Sequence, residues 1–264
     1  MRRASALNFP FRERVDEKVF LHFDGDSIYY TYLAMAYPKK ILMIENKEKK
    51  FHESWAAGRD ELNFPHPYRL LLASHSPNVG KTLWVKNIVL RADPKFQEIF
   101  LLHCGEDETT EYDEIECTKL KELPPVNNNV FNREVKTLLI CEDKNFEYSD
   151  KTQRHRLDRW YGYASTHKNV SIICCSQNFF AVPPPVRAMT NVFCIWKTRD
   201  LDQMKCIGRR VGLMKEEIQH LMRKYIKDVH DTIWIDCSKN TPMPIRRNGW
   251  EPIRAFDDEL QFMA

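Results

Sequence analysis

The sequence predicts an α/β domain built on a mostly parallel sheet with helices on both faces, and three observations carry that reading. From residue 68 onward, short apolar runs recur with helical or polar segments between them. Most of these runs are apolar throughout rather than alternating, the pattern of strands buried on both faces. One of them leads directly into a tight polar loop and then a helix-like segment, the strand–loop–helix unit of α/β proteins.

The 264 residues, 43% hydrophobic and 29% charged, suffice for one large domain of this kind. The net charge of +3, from 40 basic and 37 acidic residues, gives no overall pull toward nucleic acid. Any such contact has to come from local clusters. Among the eight cysteines, Cys141, Cys174, Cys175, Cys194 and Cys237 lie in or beside apolar runs, and no C-x-x-C pair occurs. They read as buried free thiols in a reducing compartment. No run of about 18 apolar residues exists, so no membrane span is expected. Residues 1–14 are basic without the apolar centre of a signal peptide, and the expected location is intracellular.

In chain order, residues 1–65 read as a small N-terminal extension, an added layer or oligomer contact. Within it, 19–23 reads as a short strand, 27–37 as an aromatic-rich amphipathic stretch and 45–61 as a charged segment. A Pro-His-Pro break at 65–67 separates it from the main domain, 66–264. That domain opens with a strand at 68–73 and a helix at 81–91. Further strands follow at 98–103, 135–141, 170–175 and 191–196, and 215–227 reads as an amphipathic helix. The run 232–237 alternates enough to be expected at a sheet edge.

The loop from His75 to Thr82 reads HSPNVGKT. Between a strand and a helix, a G-x-x-x-x-G-K-[ST] pattern presents backbone N–H groups to the β- and γ-phosphates of a nucleoside triphosphate, and the helix dipole adds to the attraction. Asn78, Val79, Gly80, Lys81, Thr82 and Leu83 are the residues expected against the nucleotide. Lys81 would neutralise the phosphates and the Thr82 hydroxyl would help hold Mg²⁺. His75 stands where the pattern has its first glycine, the residue that helps the chain turn out of the strand.

Later strand ends supply the remaining chemistry. The run at 136–143 ends in Glu142 and Asp143. In a parallel sheet such ends line the ligand crevice. One carboxylate would hold the Mg²⁺ shell and the other would polarise the attacking water. Glu142 is the metal-side candidate and Asp143 the general base, though the two roles can be exchanged. Gln177 ends the next buried run and suits a γ-phosphate sensor or water-orienting group. Arg187, in the proline-stiffened segment 182–191, is a candidate trans-acting arginine finger. The basic cluster Lys151, Arg154, His155, Arg156 and Arg159, interleaved with Trp160, Tyr161 and Tyr163, suits a nucleic-acid backbone as well as it suits a plain solvated helix face. The acidic stretch 106–116 reads as a solvated loop.

Taken in order, these motifs resemble the FtsK/HerA-type DNA-packaging ATPases of double-stranded DNA viruses, in the poxvirus, virophage and polinton-like branch. The resemblance runs from Tyr68 to Ile245. It rests on 75–82, 138–143, the SIICCSQNFF run at 171–180, Arg187, the NVFCIWK run at 191–197, Arg199-Asp200, 207–209, and the late run at 232–236 followed by 241–247. It implies a RecA-like P-loop NTPase domain assembled as a homo-oligomeric ring, a hexamer, that hydrolyses ATP with Mg²⁺. It also implies double-stranded viral DNA as the moved partner, capsid or portal-vertex proteins as the docking partner, and a host-cell or virion-associated location. The departures are His75 for glycine and Glu-Asp in place of Asp-Glu. Rival readings are a viral replicative ring helicase, a filamentous-virion export ATPase resembling zonular occludens toxin, and a non-catalytic P-loop binding module.

Overall fold

The computed structural model describes residues 19–24, 27–32, 64–103, 110–127, 130–132, 134–142, 151–238, 241 and 243–253. The chain divides into two units, Met1–Lys47 and Glu48–Ala264. In the first, β1 (Val19–Asp24) pairs antiparallel with β2 (Ser27–Tyr32) as a two-stranded ribbon. The stretch expected to be amphipathic is therefore a strand over 27–32, and its remainder lies outside the described residues.

The second unit is built on one nine-stranded sheet. Its strands are β3 (Arg69–Ala73), β4 (Glu98–His103), β5 (Thr118–Leu120), β6 (Thr137–Glu142), β7 (Val170–Ser176), β8 (Val192–Ile195), β9 (Ile233–Asp236), β10 (Ile245–Arg247) and β11 (Glu251–Pro252). Their spatial order is β11-β10-β9-β8-β3-β7-β6-β4-β5. Strands β5, β4, β6, β7, β3 and β8 run parallel, and β9, β10 and β11 extend the sheet antiparallel.

Strands β6 and β7 are buried at every residue, and their alternation sorts those side chains into two cores. On one face Leu70, Leu72, Leu138, Ile140, Ile173 and Cys175 pack with Val85 and Ile88 of helix α1 (Lys81–Arg91). On the other, Leu71, Leu139, Cys141, Ile172, Cys174 and Phe193 pack against the remaining helices. These are α2 (Lys151–Arg159), α3 (Pro184–Met189), α4 (Leu201–Val211) and α5 (Lys215–Tyr225). Helix α2 runs on through a π-helical turn, Trp160–Ala164, into Ser165–His167. Helices thus cover both faces.

Two expectations are corrected. The 232–237 run is not an edge strand: β9 lies between β8 and β10 and is buried at all four residues. Its alternation divides residues between the two cores, Trp234 to one and Ile233 and Ile235 to the other. The aromatic residues of the basic helix are not all presented outward. Trp160 and Tyr161 are fully buried, and the Trp160 indole donates to the Pro124 carbonyl at 2.8 Å. Only Tyr163 of the three is exposed, stacked on His167.

The seven described cysteines are free thiols, four of them buried. Burial pushes the Cys194 thiol well up, and the Cys237 thiol to about 11. Such thiols stay protonated and inert at neutral pH. Among the described residues, no helix is long and apolar enough to cross a membrane.

Candidate functional site

The site forms where β3, β7 and β6 end side by side. Strand β3 continues its parallel pairing one residue past its end, because the Ser74 amide donates to the Ser176 carbonyl at 3.1 Å. The chain then turns. The Ser76 amide donates to Ser74 Oγ at 3.2 Å, and Ser74 Oγ donates to the Ser76 carbonyl at 3.4 Å. His75 is exposed within this serine turn. The only non-glycine residues with positive φ among the described ones are Asn78, Asn169 and Asn248. No glycine is therefore required at position 75, since the left-handed step of the loop falls on Asn78 (φ 56°), a residue that tolerates it.

Gly80 caps helix α1 with φ 94°, a conformation in which a side chain would be strained. The Trp84 amide closes the first helical turn onto the Gly80 carbonyl at 3.0 Å. No side chain caps this terminus and no acidic residue lies in its first turn. The amides of Lys81 and its neighbours thus have no side-chain cap, the arrangement of a helix start that suits an anion. Lys81 is buried at 8% exposure, while Leu83 is exposed on the same turn.

The sheet order places β7 between β3 and β6, so Gln177 emerges between the 74–80 loop and the acidic strand end. Glu142 is the last residue of β6 and is buried. The Thr82 hydroxyl donates to Glu142 Oε1 at 2.7 Å, joining the loop to the acidic strand across the end of β7. A hydroxyl and a carboxylate oxygen are the hard donors that Mg²⁺ takes one or two of, keeping waters and substrate phosphates for its other positions. The pair fits that ion. Among the described residues, no group of three or more His, Cys, Asp or Glu could hold a metal by itself. Asp143 lies outside the described residues.

Gln177 is exposed and its backbone is held on both sides. Ser176 Oγ donates to the Asn178 carbonyl at 2.7 Å and accepts from the Asn178 amide at 3.2 Å. The Asn178 side chain then caps the 3-10 turn Phe179–Ala181, accepting from the Phe180 amide at 3.0 Å. Arg187, on α3, lies against that same turn. Its guanidinium sits 4.8 Å from the Phe180 ring centre and 5.2 Å from that of Phe179, and its Nε donates to the Val182 carbonyl at 2.9 Å. Asn191, part of the family resemblance, serves the sheet. Its Oδ1 accepts from the Arg69 amide at 2.7 Å, locking β8 to β3.

Three residues at the site escaped the sequence reading. Glu111, from the stretch expected to be a solvated loop, brings its Oε2 to 3.4 Å from Thr82 Oγ1. Trp196, just after β8, donates its indole N–H to the Val79 carbonyl at 2.9 Å. His230, in the loop before β9, places Nδ1 3.3 Å from the same oxygen. That loop is anchored by Asp231. Burial alone would raise the Asp231 pKa, but hydrogen bonds from Asn248, the amides of Asp228 and Lys227, and Arg247 hold it well below the usual carboxylate range.

No protein-family model matches the sequence, and no curated protein does. Solved structures do match. The genome packaging NTPase B204 of Sulfolobus turreted icosahedral virus 2, in complex with AMPPCP, is similar at a TM-score of 0.50 and 16% identity, over 71% of this chain and 98% of that one. The DNA-packaging ATPase B204 of Sulfolobus turreted icosahedral virus gives 0.49 and 16%, over 71% and 99%. The N-terminal domain of zonular occludens toxin from Neisseria meningitidis gives 0.36 and 11%, over 50% and 78%. At such identities the likeness is one of fold, and the chain shares the α/β NTPase fold of the first of these.

Proposed function

We propose that this chain is a Mg²⁺-dependent ATPase that moves double-stranded DNA, acting as the motor of viral genome packaging. The observation that carries the reading is the Thr82–Glu142 hydrogen bond of 2.7 Å. It brings a phosphate-loop hydroxyl and a strand-end carboxylate together beside a buried lysine, as hydrolysis of a phosphoanhydride requires. The order of motifs along the chain and the fold shared with a genome packaging NTPase support the finer assignment to DNA movement.

In this reading the loop amides and Lys81 bind the β- and γ-phosphates, while Asn78, Val79 and Leu83 line the same loop. Thr82 and Glu142 would hold Mg²⁺, which when bound would neutralise charge developing on the phosphates. The Thr82–Glu142 contact supports Glu142 on the metal side, and we assign the general base to Asp143. Gln177, fixed by the turns on either side of it, orients the attacking water or senses the γ-phosphate. Arg187 acts across a subunit boundary in a homo-oligomeric ring, a hexamer, that encircles duplex DNA and docks on capsid or portal-vertex proteins. The basic face of α2, where Lys151, His155 and Arg159 are exposed and Arg154 is half-buried, supplies backbone contacts for the duplex.

The test is phosphate release from ATP by the purified full chain, with and without Mg²⁺ and with and without blunt duplex DNA. Mg²⁺-dependent turnover that rises with DNA is expected. Absence of turnover at every DNA concentration would leave a non-catalytic phosphate-loop module in its place.

A further inference from the structure

We propose that Trp196 and His230 are positioning residues for the phosphate loop: together they fix the direction of the Val79–Gly80 peptide and so aim the Gly80 amide at the phosphates. The proposal rests on the nucleotide-binding reading above. It concerns what holds the loop in its binding shape.

A trans peptide unit is planar, so the carbonyl of one residue and the amide N–H of the next point in opposite directions. Fixing the Val79 oxygen therefore fixes the Gly80 N–H. That oxygen accepts from Trp196 Nε1 at 2.9 Å and faces His230 Nδ1 at 3.3 Å. A carbonyl can only accept, so this contact is a hydrogen bond in the tautomer that carries a proton on Nδ1. Both donors come from the β8–β9 side of the loop. The Gly80 N–H is accordingly turned the other way, toward the side on which Thr82 meets Glu142.

The loop needs such pins because of its composition. Gly80, at φ 94°, is the one glycine between Ser74 and Thr82, and glycine lets the peptide before it turn over with little steric resistance. The pins themselves are rigid. Trp196 is buried in the core that also holds Val79, Val85 and Trp234. His230 is held by its own amide, which donates to Asp228 Oδ1 at 3.0 Å. Its neighbour Asp231 is clamped by Arg247 at 2.9 Å and Asn248 at 2.8 Å. His230 is exposed and contacts the loop through this one ring nitrogen, so changing it leaves the core intact.

The experiment is calorimetric binding of ADP and of inorganic pyrophosphate to the full chain and to His230→Phe, His230→Asn and Trp196→Phe. His230→Phe is expected to weaken both ligands equally, about fivefold, the worth of one hydrogen bond. His230→Asn, whose amide nitrogen can replace Nδ1–H, is expected to bind both like the parent. Trp196→Phe is expected to weaken both at least as much as His230→Phe. A parent chain that binds neither ligand would overturn the nucleotide-binding reading itself. A parent that binds both, with His230→Phe unchanged for both, would overturn the positioning role alone. Weakening of ADP but not of pyrophosphate would also overturn it, since His230 would then be touching the nucleoside.

Discussion

Replacing Lys81 by Met separates chemistry from folding. Lys81 sits at 8% exposure at the start of α1, with Thr82 next to it bonded to Glu142. A unit charge about 4 Å from a phosphate contributes about 4 kcal/mol at an effective dielectric constant of about 20. That energy corresponds to about a thousandfold in rate if it is realised mainly as charge develops on the phosphates. Met keeps the length and most of the volume while removing the charge. A buried ammonium carries a desolvation cost, so its loss is expected to leave the thermal midpoint unchanged or slightly raised. The assay is steady-state phosphate release at saturating ATP and Mg²⁺, with thermal unfolding followed on the same preparation. Turnover within tenfold of the parent would refute the placement of Lys81 at the phosphates. Loss of folding would refute its separation from the structure.

Three other outcomes follow from separate parts of the molecule. A Cβ at Gly208 would lie 2.4 Å from the Leu213 carbonyl oxygen, an atom fixed by the α4–α5 turn. Gly208→Ala should therefore cost about 2 kcal/mol by urea denaturation, although the same change usually stabilises a helix interior by about 1 kcal/mol. Burial, aided by the charge of Lys136, lowers the His66 pKa from 6.5 to about 3. Between those values the unfolded chain binds a proton that the folded one does not, so stability present above pH 6.5 is lost as the pH falls toward 3. From pH 7 to pH 5 the loss from this group is about 2 kcal/mol, and it should vanish in His66→Asn when the two proteins are unfolded in parallel. If Arg187 acts across subunits, mixing inactive Lys81→Met with Arg187→Ala should restore part of the ATPase activity. No recovery would assign Arg187 to its own subunit, as the support of the Phe179–Phe180 turn after Gln177.

The parallel centre of the sheet was legible because its strands are buried on both faces and so read as unbroken apolar runs. The ranges expected for α1 and β4 agree with the structure to the residue. The margins were not legible. Strand β5 is short and largely exposed, and β10 carries Arg246, fully buried with its guanidinium 5.1 Å from the Phe64 ring centre. A charged residue in a short run gives no sign of burial until its partner is known. The same limit hid the pins of the phosphate loop, because Trp196 and His230 lie 117 and 151 positions from Val79. Trp196 reads only as the end of an apolar run, and His230 stands in no local pattern at all. In place of the glycine missing at His75, a serine turn and a left-handed Asn78 shape the loop.

The most direct test of the proposed activity is displacement of a triplex-forming oligonucleotide from a blunt DNA duplex by the purified chain. Displacement is expected to require ATP and Mg²⁺, to be lost in Lys81→Met, and to leave the two duplex strands paired. ATP hydrolysis without displacement, or displacement accompanied by strand separation, would contradict it.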